Sequence, residues 1–232
     1  MKILGIGGDV KTIKGDKYGY VTGITYLAPS NESGVINTCT HASAGCRAAC
    51  LFTAGRGSFH SVIRARVNKT LSYFNDTDSW MRQLIEEITS LNRKAVKLGK
   101  KPAVRLNGTS DLAWETVLID GKNIMDHFPD VQFYDYTKNP HRMRSYLCGT
   151  FPKNYYLTFS QSEVNQEDVE DVIQMGGNVA VVFYKTLPEV HLGLPVINGD
   201  DSDLRFNDPV GCIVGLVNKG KAGKDCSGFV VK

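Results

Sequence analysis

The 232-residue sequence has little net charge and no long apolar run. A formal charge of +3 is too small to argue for a nucleic-acid partner, and a pI near 8.4 permits an anionic partner without requiring one. The opening residues, Met1-Lys-Ile-Leu-Gly-Ile-Gly-Gly, lack the apolar region of a signal peptide, and no later run approaches a membrane span. The expectation is a cytoplasmic protein without a membrane partner. Two nucleotide-binding patterns are also missing. Gly5-Ile-Gly-Gly8 has no helix pattern close behind it, which counts against dinucleotide binding. Lys219-Gly-Lys-Ala-Gly-Lys224 lacks the G-x4-G-K-[ST] order of a phosphate loop and reads as a basic loop.

What the sequence does have is a concentration of thiols. Three of its six cysteines, Cys39, Cys46 and Cys50, fall in one Gly- and Ala-rich stretch at C-x6-C-x3-C spacing. Such clustering without a secretory signal argues for metal or redox use over disulfides. The spacing predicts Cys46 and Cys50 on one helix face, with Cys39 reaching back from the preceding loop. The small residues Ala42, Ser43, Ala44, Gly45, Ala48 and Ala49 leave room for an iron–sulfur cluster, and backbone N–H groups of the loop would donate to its sulfides. Zinc and ordinary free thiols are the competing readings. A structural zinc site closes with four ligands, so His41, Cys148, Cys212 and Cys226 are candidates for the fourth.

Downstream, periodicity predicts two helices. Phe59, Ile63, Val67, Leu71 and Phe74 form one apolar stripe; Trp80, Leu84, Ile88, Leu91, Ala95 and Leu98 form another, ended by Gly99. Before the cysteines, Lys17 to Ala28 reads as a strand or hairpin. After the helices come short strand candidates at 103–107, 131–136, 155–160, 179–184, 194–198 and 212–217, several of them separated by helix-permissive segments such as Val164 to Met175. Strands alternating with helices imply a parallel sheet. The expected fold is a single α/β domain over 1–232, a partial or irregular (β/α) barrel with an N-terminal β extension and a cysteine-rich cluster loop.

In such sheets chemistry gathers at the carboxyl ends of the strands. Polar residues recur there: Asn107-Gly-Thr-Ser-Asp111, Thr137 to Arg142, Ser160-Gln-Ser-Glu163, Lys185, and Asn198 to Arg205. Asp203 and Arg205 have the right types to pair with each other. Arg56, between two glycines, is either an anion contact or a surface arginine; Trp114 and Glu115 read as the core and charge of a helix start.

Two resemblances add to this reading. Lys11-Thr-Ile-Lys-Gly, Thr22 to Pro29, Gly45-Cys-Arg-Ala-Ala-Cys-Leu with Ala54-Gly-Arg-Gly, Asp203-Leu-Arg-Phe and Ile213-Val-Gly-Leu resemble the gene-product-88-like family of tailed phages over most of the chain. That implies a phage protein acting in the host cytoplasm. The layout is also similar to that of radical S-adenosylmethionine enzymes, which carry three cysteines in a loop after the first barrel strand, though at C-x3-C-x2-C spacing. This second resemblance implies a 4Fe-4S cluster on Cys39, Cys46 and Cys50 with one iron open to S-adenosylmethionine. Asn107, Thr109, Ser110 and Asp111 would line the cofactor side, joined by Ser160 and Gln161, which also face the substrate. Lys185, Asp203 and Arg205 are the catalytic candidates, acting on an unknown small-molecule or protein substrate with a host reductant as electron source. The alternative is a non-catalytic or redox iron–sulfur protein that binds a host or phage partner.

Overall fold

The structure is a computed structural model that describes residues 1–8 and 10–232. In chain order its elements are β1 (Leu4–Ile6), α1 (Val10–Lys17), β2 (Tyr20–Thr25), α2 (Ala44–Ala48), α3 (His60–Asn75), α4 (Thr77–Lys97), β3 (Lys101–Arg105), α5 (Ile124–His127), β4 (Gln132–Thr137) and α6 (Pro140–Leu147). There follow β5 (Tyr155–Ser160), α7 (Gln166–Gln174), β6 (Val179–Phe183), β7 (Val190–His191), β8 (Leu194–Asn198), β9 (Ile213–Val217) and β10 (Val230–Val231). Every strand expected after the helices appears within two residues of its predicted bounds.

The strands form one mixed sheet in the order β1-β2-β3-β4-β5-β6-β9-β8-β7. From β2 to β6 sequence neighbours are parallel sheet neighbours, and β9 and β8 continue in parallel. The antiparallel pairs lie at the two ends, β1 on β2 and β7 on β8. The sheet is open: β1 and β7 are its edges, so it does not close into a barrel. The β segment expected at the N-terminus, Lys17 to Ala28, forms β2 inside the parallel sheet, and β1 is an edge strand that the sequence reading did not place. Along one edge of β6 two strands share the pairing, β5 on Val179 and Ala180, then β10 on Val182 and Phe183.

Alternation along the strands sorts the side chains onto two faces. Val104, Phe133, Tyr155, Leu157, Phe159, Val179 and Val181 join the main core with Trp80, Leu84, Ile88 and Leu91 of α4 and Val169 and Val172 of α7. The opposite face carries Ala103, Tyr134 and Leu204 with Tyr20, Tyr156 and Phe206 packed around them. Residues one position along from the core set, such as Arg105 after Val104, therefore point away from the helices.

The expected α4 stripe is buried, except that Leu98 is exposed. The α3 stripe is only half-buried; the buried residues of the helix, Thr70 and Tyr73, lie outside it, and Phe59 precedes the helix and is exposed. One helix escaped the periodicity argument. Val-Lys-Thr-Ile-Lys-Gly-Asp-Lys of α1 follows the Gly5–Gly8 stretch after all, but it has no apolar stripe and leaves Val10 and Ile13 exposed. It packs through Thr12 and Gly15, and a Cβ at Gly15 would meet Thr22 Oγ1 at 2.3 Å.

Candidate metal and cofactor site

The cysteine loop follows β2, the first parallel strand, and is anchored on both sides. Thr38 Oγ1 donates to the Ala28 carbonyl at 2.6 Å, while the Asp111 N–H donates to the Thr38 carbonyl at 2.8 Å. At its far side Glu163, beyond β5, accepts from Ser43 Oγ at 2.6 Å and from the Gly45 N–H at 2.7 Å. Ser43 in turn caps α2 by accepting from the Cys46 N–H at 3.1 Å. Two amides expected to face a cluster are thus taken by side chains. Burial works against the Glu163 charge, yet the bonds from Ser43 and Gly45 hold its carboxyl below the usual range.

Helix α2 is shorter than the spacing predicted. Cys46 lies within it, but the helix stops at Ala48, and Cys50 precedes a separate 3-10 turn, Leu51–Thr53. The two thiols therefore do not share one helix face. All three cysteines are nevertheless free thiols lining the same cavity, of about 910 Å³, at the carboxyl ends of the parallel strands. Cys39 Sγ lies 3.8 Å from the Thr109 carbonyl, which joins the loop to the exit of β3. Burial pushes the Cys39 thiol up to about 11 and raises Cys50 as well. Among the described residues no group of three or more His, Cys, Asp or Glu side chains is arranged to hold a single metal ion.

The exit of β3 forms the neighbouring wall. Asn107, Gly108, Thr109, Ser110 and Asp111 all line the cavity. Asn107 is fixed from beneath: its N–H donates to Asp135 at 2.7 Å, and its Oδ1 accepts from Ser110 Oγ, the Leu112 N–H and Trp114 Nε1 at 2.9 to 3.0 Å. Burial, opposed by Arg142 and Arg105 and by hydrogen bonds from Asn107 and Tyr155, leaves the Asp135 carboxyl at about 7. Asp111 accepts from the Lys138 N–H at 2.8 Å and pairs with Arg142 at 3.2 Å; Arg142 also holds Glu115 through two bonds at 2.7 and 2.8 Å. Gly108 passes so close to β2 that a Cβ there would meet the Thr25 carbonyl and the Tyr26 ring at 2.6 Å.

Of the other sequence-derived candidates, Ser160 and Asp203 line the cavity, whereas Gln161, Lys185 and Arg205 do not. Lys185 is exposed, at φ +63°, with its ammonium 4.9 Å from the Tyr184 ring. Asp203 and Arg205 find different partners from the expected one. Arg105 Nη1 contacts both Asp203 oxygens at 2.9 and 3.1 Å, Tyr134 OH donates to Asp203 at 3.2 Å, and Lys11 stands 3.4 Å away. Arg205, only 1% exposed, pairs with Asp208 at 3.3 Å and donates to the Ser202 carbonyl. Burial pushes Asp203 up, but Arg105, Lys11 and Arg205 outweigh it and hold the carboxyl at about 2.

None of the four residues considered as a fourth ligand lines the cavity. His41, Cys148 and Cys226 are exposed, and Cys212 is buried at the start of β9 with its sulfur 3.1 Å from the Pro209 carbonyl. Arg56 is exposed and also lies off the cavity. Sequence reasoning missed Lys11, Lys14, Glu32, Arg105 and Lys219, all of which line it, as does Lys138 of the expected β4 exit. Lys138 donates to Ser160 Oγ at 2.5 Å and lies 5.4 Å from the Phe229 ring. Arg105 had a visible signal, an arginine two residues after Ala103 and set between the apolar Val104 and Leu106.

The fold and site define a mixed α/β protein with a large cavity at its carboxyl strand edge and a three-cysteine loop in the cavity wall. The chain belongs to the family described as Gene product 88, whose sequence profile matches residues 6–232. No curated protein and no solved structure matches it. No helix is long and apolar enough to cross a membrane among the described residues.

Proposed function

We propose that this chain is an iron–sulfur protein of radical S-adenosylmethionine-like architecture, with the open parallel sheet serving as a partial (β/α) barrel. One observation carries the reading: Cys39, Cys46 and Cys50, from the loop after the first parallel strand, line one large cavity without converging on a single-ion site. Three thiols arranged around a space suit a polynuclear cluster better than a lone zinc ion. The sequential order β2 to β6 and the polar β3 exit beside the loop support the same layout.

Cys39, Cys46 and Cys50 would hold the cluster, whose fourth iron supplies a binding position for S-adenosylmethionine and an electron for its reductive cleavage. The chain's own residues do the rest. Thr109 and Ser110 present hydroxyl and backbone groups to the cofactor's amine and carboxylate, held rigid by the Asn107–Asp135 bonds. Asp111 accepts hydrogen bonds while Arg142 balances its charge from behind. Lys138 supplies a cation beside Ser160 for a carboxylate. Asp203 stays ionised at neutral pH and fixes Arg105 at the cavity wall.

Anaerobic reconstitution followed by iron and sulfide analysis and by EPR, with and without S-adenosylmethionine, tests the proposal. The expected result is one cluster per chain with a spectrum that changes on cofactor addition, and 5′-deoxyadenosine on reduction. A cluster indifferent to the cofactor would leave the non-catalytic redox reading. Stoichiometric zinc without iron would sink both.

A further inference from the structure

The cysteine loop has an outer surface as well as a cavity wall, and its composition departs from that of the rest of the chain. From Ser33 to Asn75 there is no aspartate or glutamate, although the chain carries 24 such residues elsewhere. The same stretch holds Arg47, Arg56 and Arg64, all exposed. Among the described residues none of these three pairs with a carboxylate; Arg47 donates to the Ala42 carbonyl, a neutral group. Leu51 and Phe59, which alternate with the arginines in sequence, are exposed as well.

The basic surface continues onto the C-terminal segment. Gly220 lies so close to the loop that a Cβ there would meet the Ala54 Cβ at 2.9 Å, and the 3-10 turn Gly220–Lys224 that it opens forms a shallow groove with α2, lined by Ala44, Ala48, Lys221 and Lys224. Both lysines are exposed, and among the described residues neither pairs with a carboxylate. Of the acids close by, Glu163 is bonded to Ser43 and Gly45, Asp225 accepts from the Ser227 hydroxyl and the Val230 N–H, and Glu32 lines the cavity. Arginines and an aromatic ring set among apolar side chains have the composition of a protein interface, whereas binding along a nucleic-acid backbone draws on a larger positive charge than the +3 of this chain. Directly behind the face stand two thiols. Helix α2 turns Ala44 and Ala48 to the groove and Cys46 to the cavity, and Cys50 lines the cavity just before Leu51.

We infer that this face docks an acidic protein that delivers single electrons to the cluster. The partner follows from the iron–sulfur reading, which needs an electron from outside the chain. In the transfer a flavin hydroquinone of the donor loses one electron and becomes the semiquinone, and the oxidised cluster gains that electron. Opposite charge on the two surfaces speeds such an encounter, and a small interface lets the spent donor leave.

Stopped-flow reduction of the anaerobically reconstituted full chain tests this, with hydroquinone flavodoxin, an acidic flavin protein, as one reductant and dithionite as the other. Flavodoxin should reduce the cluster at a rate that rises with its concentration and falls with salt. Arg56→Glu combined with Arg64→Glu, both at exposed positions, should slow that reduction about tenfold at low salt and flatten its salt dependence. Iron content, thermal midpoint and the dithionite rate should not change. Lys94→Glu with Lys97→Glu makes the same change in charge at exposed positions of α4 and should leave the flavodoxin rate as it was. Equal flavodoxin rates with and without the arginine reversals, an equal loss in the α4 variant, or no reduction by flavodoxin of a cluster that dithionite reduces would each overturn the proposal. So would tight binding of a single-stranded DNA oligonucleotide, read by fluorescence anisotropy and abolished by the same arginine reversals, which would give the face to nucleic acid. A chain that assembles no cluster sinks the iron–sulfur reading and the electron donor with it; a cluster that dithionite reduces, with flavodoxin kinetics indifferent to the arginines, sinks the docking face alone.

Discussion

The two faces of the sheet are made from the same strands yet follow opposite rules. Toward the helices, Val104, Phe133, Leu157, Phe159 and Val181 meet Leu84, Ile88 and Leu91 in an apolar core. On the other face Arg105, Tyr134, Asp203 and Arg205 are buried nearly as deeply and are held by charge and hydrogen bonds. The helix face gains stability from the area it removes from water. A buried ion pair adds little over an apolar pair of the same volume, so Arg105 and Asp203 are better explained by the cavity they line.

The comparison is open to attack from several directions. The largest effect is expected from Arg105→Ala, which removes the main counter-charge of buried Asp203 and should cost about 4 kcal/mol in chemical denaturation. Arg105→Met combined with Asp203→Leu should recover most of that loss; a double variant as unstable as the single would show that the polar face also carries stability. On the helix face, Leu91→Ala removes a fully buried side chain packed on Gly23 and should cost about 3 kcal/mol, with no rescue by a second apolar deletion.

The pH dependence separates the faces more gently. Asp203, held at about 2 in the fold against 3.8 as a free group, contributes stability that is full above about pH 4 and is lost as pH falls through 2. Asp135, raised to about 7, acts in the reverse sense. The folded state binds its proton more tightly, so its contribution declines as pH rises from about 4 to 7. Asp135→Asn should flatten that decline in denaturation measured across this range, leaving the acid limb unchanged. The smallest effect belongs to Glu163→Gln, about 1 kcal/mol in global stability, accompanied by faster alkylation of Cys46 as the loop loosens.

Much of the helix face was legible in the sequence because it is written in periodicity. Six strand candidates and the α4 stripe follow from apolar alternation and 3.6-residue spacing, which local sequence carries. The second face was not legible because its logic is pairing at a distance. Arg105 and Asp203 are 98 residues apart, and proximity in sequence suggested Arg205 as the Asp203 partner instead. The cysteine loop was legible as a cluster of types, but its details were not. Helix α2 ends before Cys50, where the chain passes into a 3-10 turn, and Glu163 and Ser43 claim amides that looked free. Helix α1 was missed because it buries a threonine and a glycine in place of a stripe.

The Glu163 anchor has a consequence for the order in which the protein assembles. Its bonds to Ser43 and Gly45 span 120 and 118 residues, and Gly45 is so enclosed that a Cβ would meet Ser227 Oγ at 2.2 Å and the Phe229 Cβ at 2.7 Å. Contacts of such long range form late, because loop closure must precede them. The cysteines therefore emerge early in synthesis but gain their final arrangement only when β5, β6 and β10 are in place. Any metal delivered to this loop meets a nearly finished protein, and the thiols stand open to oxidation until then.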